Sequence, residues 1–203
     1  VLSGGIQDAQ ARLNLTGLAT QGRVNAGVVQ SFERLLVSLR QDPGLARAAA
    51  QKVADSGRAA IAGTAGEPRP IGFVQVDDLL AVPGCTPAVL DAIREQVVFL
   101  PAATPVNANT ASAEVLSAQL PGLSLADANA LVTARKGASF RDLADLAARL
   151  PSRPASVDPA LFPVGSAYFL VTGRVTIRQA TLQLQALVER TGAATHLLWM
   201  REA

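Results

Sequence analysis

Across the proline-rich stretch Pro151–Pro163 the hydrophobic period of this chain changes from about 3.6 residues to 2. Before the break, apolar residues recur at helical spacing. Val28, Val29, Phe32, Leu35, Leu36 and Leu39 mark one helix, and Ala-rich Leu45–Ala62 marks a second. Leu143, Leu146 and Leu150 share one face of a helix over Phe140–Leu150. After the break, Tyr168–Thr172, Val175–Ile177 and the alternating Leu182–Val188 read as strands. Thr191-Gly192 then turns the chain into a last strand over His196–Met200. The expectation is an antiparallel sheet with one buried face. At the other end, Ser3–Gly22 has short-spaced apolar residues bracketed by glycine, which fits a hairpin with its turn near Asp8–Gln10. Two such strands make no stable unit alone. They are expected to join the C-terminal sheet, giving a β part at residues 1–22 and 164–203 and an inserted helical domain at 23–163.

Composition narrows the chemistry. With 203 residues, 49% of them hydrophobic, the chain can build a large core without disulfides. It has one cysteine, so no intrachain disulfide forms, and Cys85 beside Gly84 reads as a small apolar residue. The one histidine, His196, sits in an apolar run, and no Gly-x-Ser-x-Gly elbow accompanies it. No P-loop or dinucleotide fingerprint occurs. Catalytic residues and an organic cofactor are therefore not expected. No run of about 18 apolar residues spans a membrane, and no signal-peptide pattern opens the chain. Because it opens on Val1 rather than Met, a fragment or processed form is expected.

Two units inside the helical region share a plan. Val76–Gln96 contains Val82-Pro83-Gly84 and then Thr86-Pro87, a good N-cap followed by proline at the first helical position. Ser112–Arg135 contains Leu120-Pro121-Gly122-Leu123 and then Ser124, another cap. Between them Asn107-Ala-Asn109-Thr110 supplies turn chemistry and a cap for the helix near Ser112. Each unit reads as helix, Pro-Gly turn, helix, and so resembles the helix-hairpin-helix of nucleic-acid-binding proteins and the hairpin modules of bacterial DNA-uptake receptors. Nucleic-acid binding is the alternative function on that ground. Thr86 and Ser124 replace the second glycine of the motif, and Asp91 and Asp127 sit where a phosphate would approach. Residues 77–150 carry five cations against eight acids, which also opposes phosphate binding.

Taken in order, the segments resemble the periplasmic part of the K-type minor pseudopilins of the type II secretion system. Gly5-Ile-Gln-Asp8-Ala-Gln-Ala-Arg12-Leu-Asn14-Leu15 is similar to that family's opening segment, with departures at Ala11, Leu13 and Thr16. Val76-Asp-Asp78-Leu79-Leu-Ala-Val82-Pro-Gly84 looks like its Leu-x-x-Val-x-Gly unit. Leu100-Pro101, Pro105-Val-Asn107-Ala-Asn109-Thr110-Ala111 and Glu114-Val-Leu116 resemble its most specific signature. Ser166-Ala-Tyr168-Phe169 and the following strands match its C-terminal sheet.

The resemblance implies an α+β fold, a pilin-like antiparallel sheet with a large inserted all-α domain. It also implies a missing N-terminal hydrophobic helix in the inner membrane of a Gram-negative bacterium, with the remainder in the periplasm. I-type and J-type minor pseudopilins would be partners in a heterotrimeric tip complex, and the function would be non-catalytic docking. Asp8, Arg12, Asn14, Gly84, Asn107, Asn109, Thr110 and Gly122 would be its structural signature, with Arg12 and Asn14 bracing the hairpin against the sheet. Some members bind calcium in the insertion. Here Asp55, Glu67 and Asp78 are the residual candidates, while Lys52, Val53 and Gly57 replace the family's ligand-segment residues, so no calcium is expected.

Overall fold

Most helix starts in this protein are set by side chains just outside the helix, because the first turn leaves N–H groups unpaired. The structure, a computed structural model, describes residues 2–62, 72–150, 163–177 and 180–202. Its strands and helices begin with β1 (Leu2–Asp8), β2 (Leu13–Asn14), β3 (Ala19–Thr20), β4 (Arg23–Val24), α1 (Ala26–Ser38) and α2 (Gly44–Ala62). They continue with α3 (Pro87–Ile93), β5 (Val97–Val98), α4 (Ala113–Gln119), α5 (Leu125–Gly137) and α6 (Leu143–Ala148). The last three strands are β6 (Tyr168–Ile177), β7 (Ala180–Thr191) and β8 (Ala194–Glu202). The fold is α+β.

Asn25 Oδ1 accepts from the N–H groups of Gly27 and Val28 and starts α1. Asp42 accepts from Gly44 N at 2.8 Å at the head of α2. Thr86, Ser124 and Asp142 cap α3, α5 and α6. The cap of α4 is Ser112 itself, bonded to Val115 N at 3.2 Å, and not the Asn and Thr expected to serve there. The asparagines upstream are committed to other bonds.

The chain divides into two compact units, residues 1–10 with 165–203, and residues 11–164. The expected first boundary, between 22 and 23, therefore lies after Gln10. Residues 11–22 belong with the helices because Leu13, Leu15 and Leu18 are buried in their core. β2 also pairs in parallel with β5, Leu13 opposite Val97 and Asn14 opposite Val98. The expected hairpin turn at Asp8–Gln10 is a short 3-10 turn over Ala9–Ala11 instead. A hairpin does occur further on, where β3 and β4 are joined by Gln21 and Gly22 at φ 50° and 75°. Two positive φ values match the twist of a tight antiparallel pair, and glycine takes one without strain.

In the helical unit Phe32, Leu35 and Leu36 of α1 are fully buried with Leu116 of α4 and Leu131 of α5. Ala46, Ala49, Ala50 and Ala54 form a buried stripe of small side chains on α2. Phe140 and Leu146 are buried in the same core. The first of the two repeated units departs from its expected plan. Its leading element is a 3-10 turn over Val76–Ala81 rather than an α-helix. The second unit is α4, a turn and α5.

Gly84 and Gly122 close the two Pro-Gly turns at φ 88° and 85°. A Cβ at either would meet nothing within 4 Å, so only backbone conformation demands glycine. Gly84→Ala and Gly122→Ala are each expected to lower stability by about 1–2 kcal/mol, read by denaturant midpoint with an unchanged slope.

In the other unit the sheet order is β1-β6-β7-β8, antiparallel throughout. Ile6 lies opposite Val171, Val171 opposite Ala186, and Ala186 opposite Met200. Alternation then places Leu2, Ile6, Phe169, Val171, Val175, Leu182, Leu184 and Val188 on one face. A bulge between Leu187 and Val188 keeps Leu197 on that face with Met200. The alternation expected from sequence is present, but this face is not buried. Leu2 is 79% exposed, Ile6 72%, Leu197 61% and Met200 61%.

Candidate functional site

The signature residues form two separate hydrogen-bonding centres in the helical unit. Asn14 is 4% exposed and uses its whole amide. Its Oδ1 accepts from Thr16 N at 3.1 Å and Leu100 N at 3.2 Å. Its Nδ2 donates to Ala102 O at 2.7 Å and Thr104 Oγ1 at 3.0 Å. Thr16 Oγ1 adds a bond to Leu100 O at 2.7 Å. Arg12 extends the seam through Glu95 Oε2 at 2.7 Å. Arg12 and Asn14 thus tie residues 12–16 to residues 95–104 of the helical unit. The expected brace between hairpin and sheet is not what they form, because that segment belongs to the helices.

The second centre is Asn107–Thr110. Asn107 is 4% exposed, and its Oδ1 accepts from Asn109 N at 3.0 Å. Its carbonyl accepts from Thr110 N and Ala111 N. Asn109 pairs with the backbone of Phe140 as a strand would, accepting from its N–H at 2.7 Å and donating to its carbonyl at 2.9 Å. Asn109 Nδ2 also donates to Val164 O at 3.3 Å. Thr110 is exposed, and its hydroxyl lies 3.5 Å from the Asn107 carbonyl. Arg135 was not singled out from sequence, yet it donates to Ala108 O at 2.7 Å, and burial lowers its pKa.

Asp8 lies in the sheet unit. Its two carboxylate oxygens accept from Gln10 N at 2.8 Å and Ser166 Oγ at 2.6 Å. Gln10 Oε1 in turn accepts from Ala167 N at 2.7 Å, so one short run locks the end of β1 to the start of β6. Gln10 carried no sequence signal, because a lone glutamine has no diagnostic spacing.

The calcium candidates are committed elsewhere. Asp55 is exposed on α2 and is held by Arg58 and by Gln51. Asp78 Oδ2 accepts from Val74 N and Gln75 N at 2.8 and 2.9 Å, completing a capping box. Glu67 lies outside the described residues. Among the described residues no three His, Cys, Asp or Glu side chains are grouped to hold a metal ion.

At the turns, Asp127 accepts from Ser124 Oγ at 2.8 Å, and Asp91 lies 3.9 Å from Arg94. Arg94 makes its closer pair with Asp77, and that hydrogen bond raises its pKa. Cations and acids are interleaved at these turns among the described residues. Cys85 is buried, and burial pushes its thiol pKa up, which suits the apolar role expected of it.

The apolar face of the sheet is open, with Leu2, Ile6, Leu197 and Met200 all exposed. An exposed apolar patch of this extent on a folded chain marks an interaction site. Both lateral edges, β1 and β8, are also unpaired on their outer sides among the described strands. The opposite face carries Tyr168, Gln183, Gln185 and Glu189, with Leu170 and Leu187 buried among them. Tyr168 donates to Glu189 at 2.8 Å, and this bond raises the phenol pKa. A raised folded pKa means stability that is present below the ordinary tyrosine range and lost as pH climbs through the folded value. Tyr168 is the single tyrosine, so ultraviolet titration reads it directly. Glu189→Gln is expected to bring its midpoint back toward the ordinary value.

A family model described as "Type II secretion system (T2SS), protein K" matches residues 106–162. A second model of the same description matches residues 11–102, so more than half of the chain is covered. No curated protein matches the chain. Among solved structures, the chain is similar to one in the crystal structure of the GspK-GspI-GspJ complex from the type 2 secretion system of enterotoxigenic Escherichia coli. The TM-score is 0.72 at 21% identity, over 100% of this chain and 79% of that one.

Proposed function

This chain belongs to the type II secretion system protein K family, and from that membership we propose that it is a non-catalytic minor pseudopilin that docks at the tip of a pseudopilus. The observation that carries the docking role is the exposed apolar face holding Ile6, Val171, Leu197 and Met200. Burying such a face returns roughly 25 cal/mol for each Å² of apolar surface, so a sheet left this open gains by acquiring a cover. In the whole protein that cover is a hydrophobic N-terminal helix anchored in the inner membrane, with the described units in the periplasm. The similar solved chain comes from a complex with GspI and GspJ, which supports I-type and J-type pseudopilins as the partners.

The test is size exclusion of this chain with the soluble domains of the I- and J-type subunits from the same operon. Co-elution of all three is expected. If the two partners pair with each other and exclude this chain at tens of micromolar, the tip assignment fails for the soluble part.

Calcium takes no part in this reading. With Asp55 and Asp78 already bonded, added calcium or EDTA is expected to leave the thermal midpoint unchanged within error. A chelator-dependent drop of several degrees would restore a structural metal.

A further inference from the structure

A groove of about 350 Å³ lies within the helical unit, between α1, the Ala103–Pro105 loop and the end of α4. None of the signature residues explains its polar end. Three side chains meet there, Ser31, Arg34 and Gln119. Arg34 donates from Nε to Ala118 O at 2.6 Å and from one terminal nitrogen to Ser31 Oγ at 3.1 Å. That leaves the other terminal nitrogen without a partner among the described residues. Burial lowers the pKa of this guanidinium, and no described carboxylate forms an ion pair with it. Glu33 acts on it only through space and is itself held by Arg47 at 2.7 Å.

The two companions are nearly sealed from solvent. Gln119 is 8% exposed and Ser31 5%. The Gln119 amide makes no hydrogen bond among the described residues, and the Ser31 hydroxyl proton is donated to no described acceptor. Among the described residues no sealed side-chain nitrogen or oxygen lacks a partner, so the unbonded Gln119 amide opens onto the groove and offers free donors beside the half-buried guanidinium. All three offer N–H or O–H donors. Such a set is complementary to a carboxylate, which accepts through both oxygens and prefers the planar fork of arginine. The rest of the wall mixes apolar residues, among them Leu13, Val28, Pro105 and Pro121, with the polar Asn14, Asn25, Gln30 and Thr104.

We propose that this groove binds an extended segment of a partner protein, with an aspartate or glutamate side chain of that segment seated against Arg34, Ser31 and Gln119. The apolar residues of the wall take the flanking side chain. A single half-buried arginine matches one carboxylate charge, and the groove lies at the lower end of ordinary ligand-site volumes, enough for a short stretch of chain. The proposal stands on the groove alone and is independent of the tip assembly.

The test is nuclear magnetic resonance of the isotopically labelled chain titrated with the blocked tripeptide acetyl-Leu-Glu-Leu-amide. Saturable shifts are expected at the Gln119 side-chain amide and the Arg34 Nε–H. The Leu-Gln-Leu counterpart is expected to bind at least tenfold more weakly. Arg34→Met should also weaken binding at least tenfold. Should that variant fail to fold, Gly27→Phe decides, because it narrows the groove mouth without touching the polar end. A Cβ at Gly27 meets only Asn25 Oδ1, at an ordinary 3.5 Å. Equal binding of the two peptides, shifts confined to other surfaces, or unimpaired binding by Gly27→Phe would overturn the proposal. Propionate shifting the same signals at the same concentration would also overturn it, since the groove would then be a small-acid site.

Discussion

Asn14→Leu is expected to lower the stability of the helical unit by about 3 kcal/mol or more, a midpoint loss of roughly 6–12 °C for a unit of this size. The size of the effect follows from what is left behind. Leucine matches the volume but leaves the Leu100 N–H and the Ala102 carbonyl without their partner, in a site where Asn14 itself is 4% exposed. Each such stranded group costs about 1–3 kcal/mol. Asn14→Asp separates shape from hydrogen bonding. A carboxylate can still accept from Thr16 N and Leu100 N but cannot donate to Ala102 O or Thr104 Oγ1. Its folded pKa should therefore be raised, and the deficit should be largest at neutral pH and shrink as pH falls through that value. Thr110→Ala is the matched control, since Thr110 belongs to the same signature but is exposed. It should shift stability by less than about 0.5 kcal/mol. A thermal melt in which Asn14→Leu and Thr110→Ala behave alike would show that the asparagine seam is not structural.

Charging the apolar face of the sheet should produce the opposite pattern, with intact folding and lost function. Ile6 and Leu197 are 72% and 61% exposed, so Ile6→Glu with Leu197→Glu should move the midpoint of this chain little, by under about 0.5 kcal/mol per site. Under the proposed cover, the same pair would place two carboxylates beneath an apolar helix in the full-length protein. A buried unpaired charge costs several kcal/mol, enough to displace the cover. Secretion by cells carrying the variant should be abolished, while Thr172→Glu with Gln185→Glu on the other face should secrete near normally. Normal secretion with Ile6 and Leu197 both replaced would mean that this face stays open in the working assembly.

What could be read from the sequence was local. Thr86, Ser124, Gly84 and Gly122 act within three or four residues of themselves, and each stands in the structure where its chemistry placed it. The alternation of Leu182–Val188 likewise survives as a two-faced strand. What could not be read was partnership across distance. Asn14 bonds residues 86 to 90 positions away, and nothing around it distinguishes those partners from nearer ones. That is why residues 11–22 were expected in the sheet and lie with the helices. The groove of Arg34 and Gln119 left no trace at all, since a lone arginine and a lone glutamine on different helices share no spacing. The turn at Gln21-Gly22 was the nearest miss: glycine was noted as a bracket, whereas its positive φ makes it the hinge of a hairpin.

The register of β1 has a consequence for how the chain is made. Asp8 and Ser166 meet across 158 positions, and the whole strand pairs only with β6. The β1 segment emerges long before β6 during synthesis or export and is therefore among the last to find its neighbour. Closing so long a loop is slow, because its entropy must be lost before any pairing rewards it. Meanwhile the helical unit can condense from contacts that arrive earlier. An orphan strand that waits invites association with other chains, yet Ser3, Gly4 and Gly5 make this one a poor template until its partner arrives. The glycines that weaken β1 in the finished sheet protect it during the wait, and a bulkier, stickier first strand would trade yield for stability.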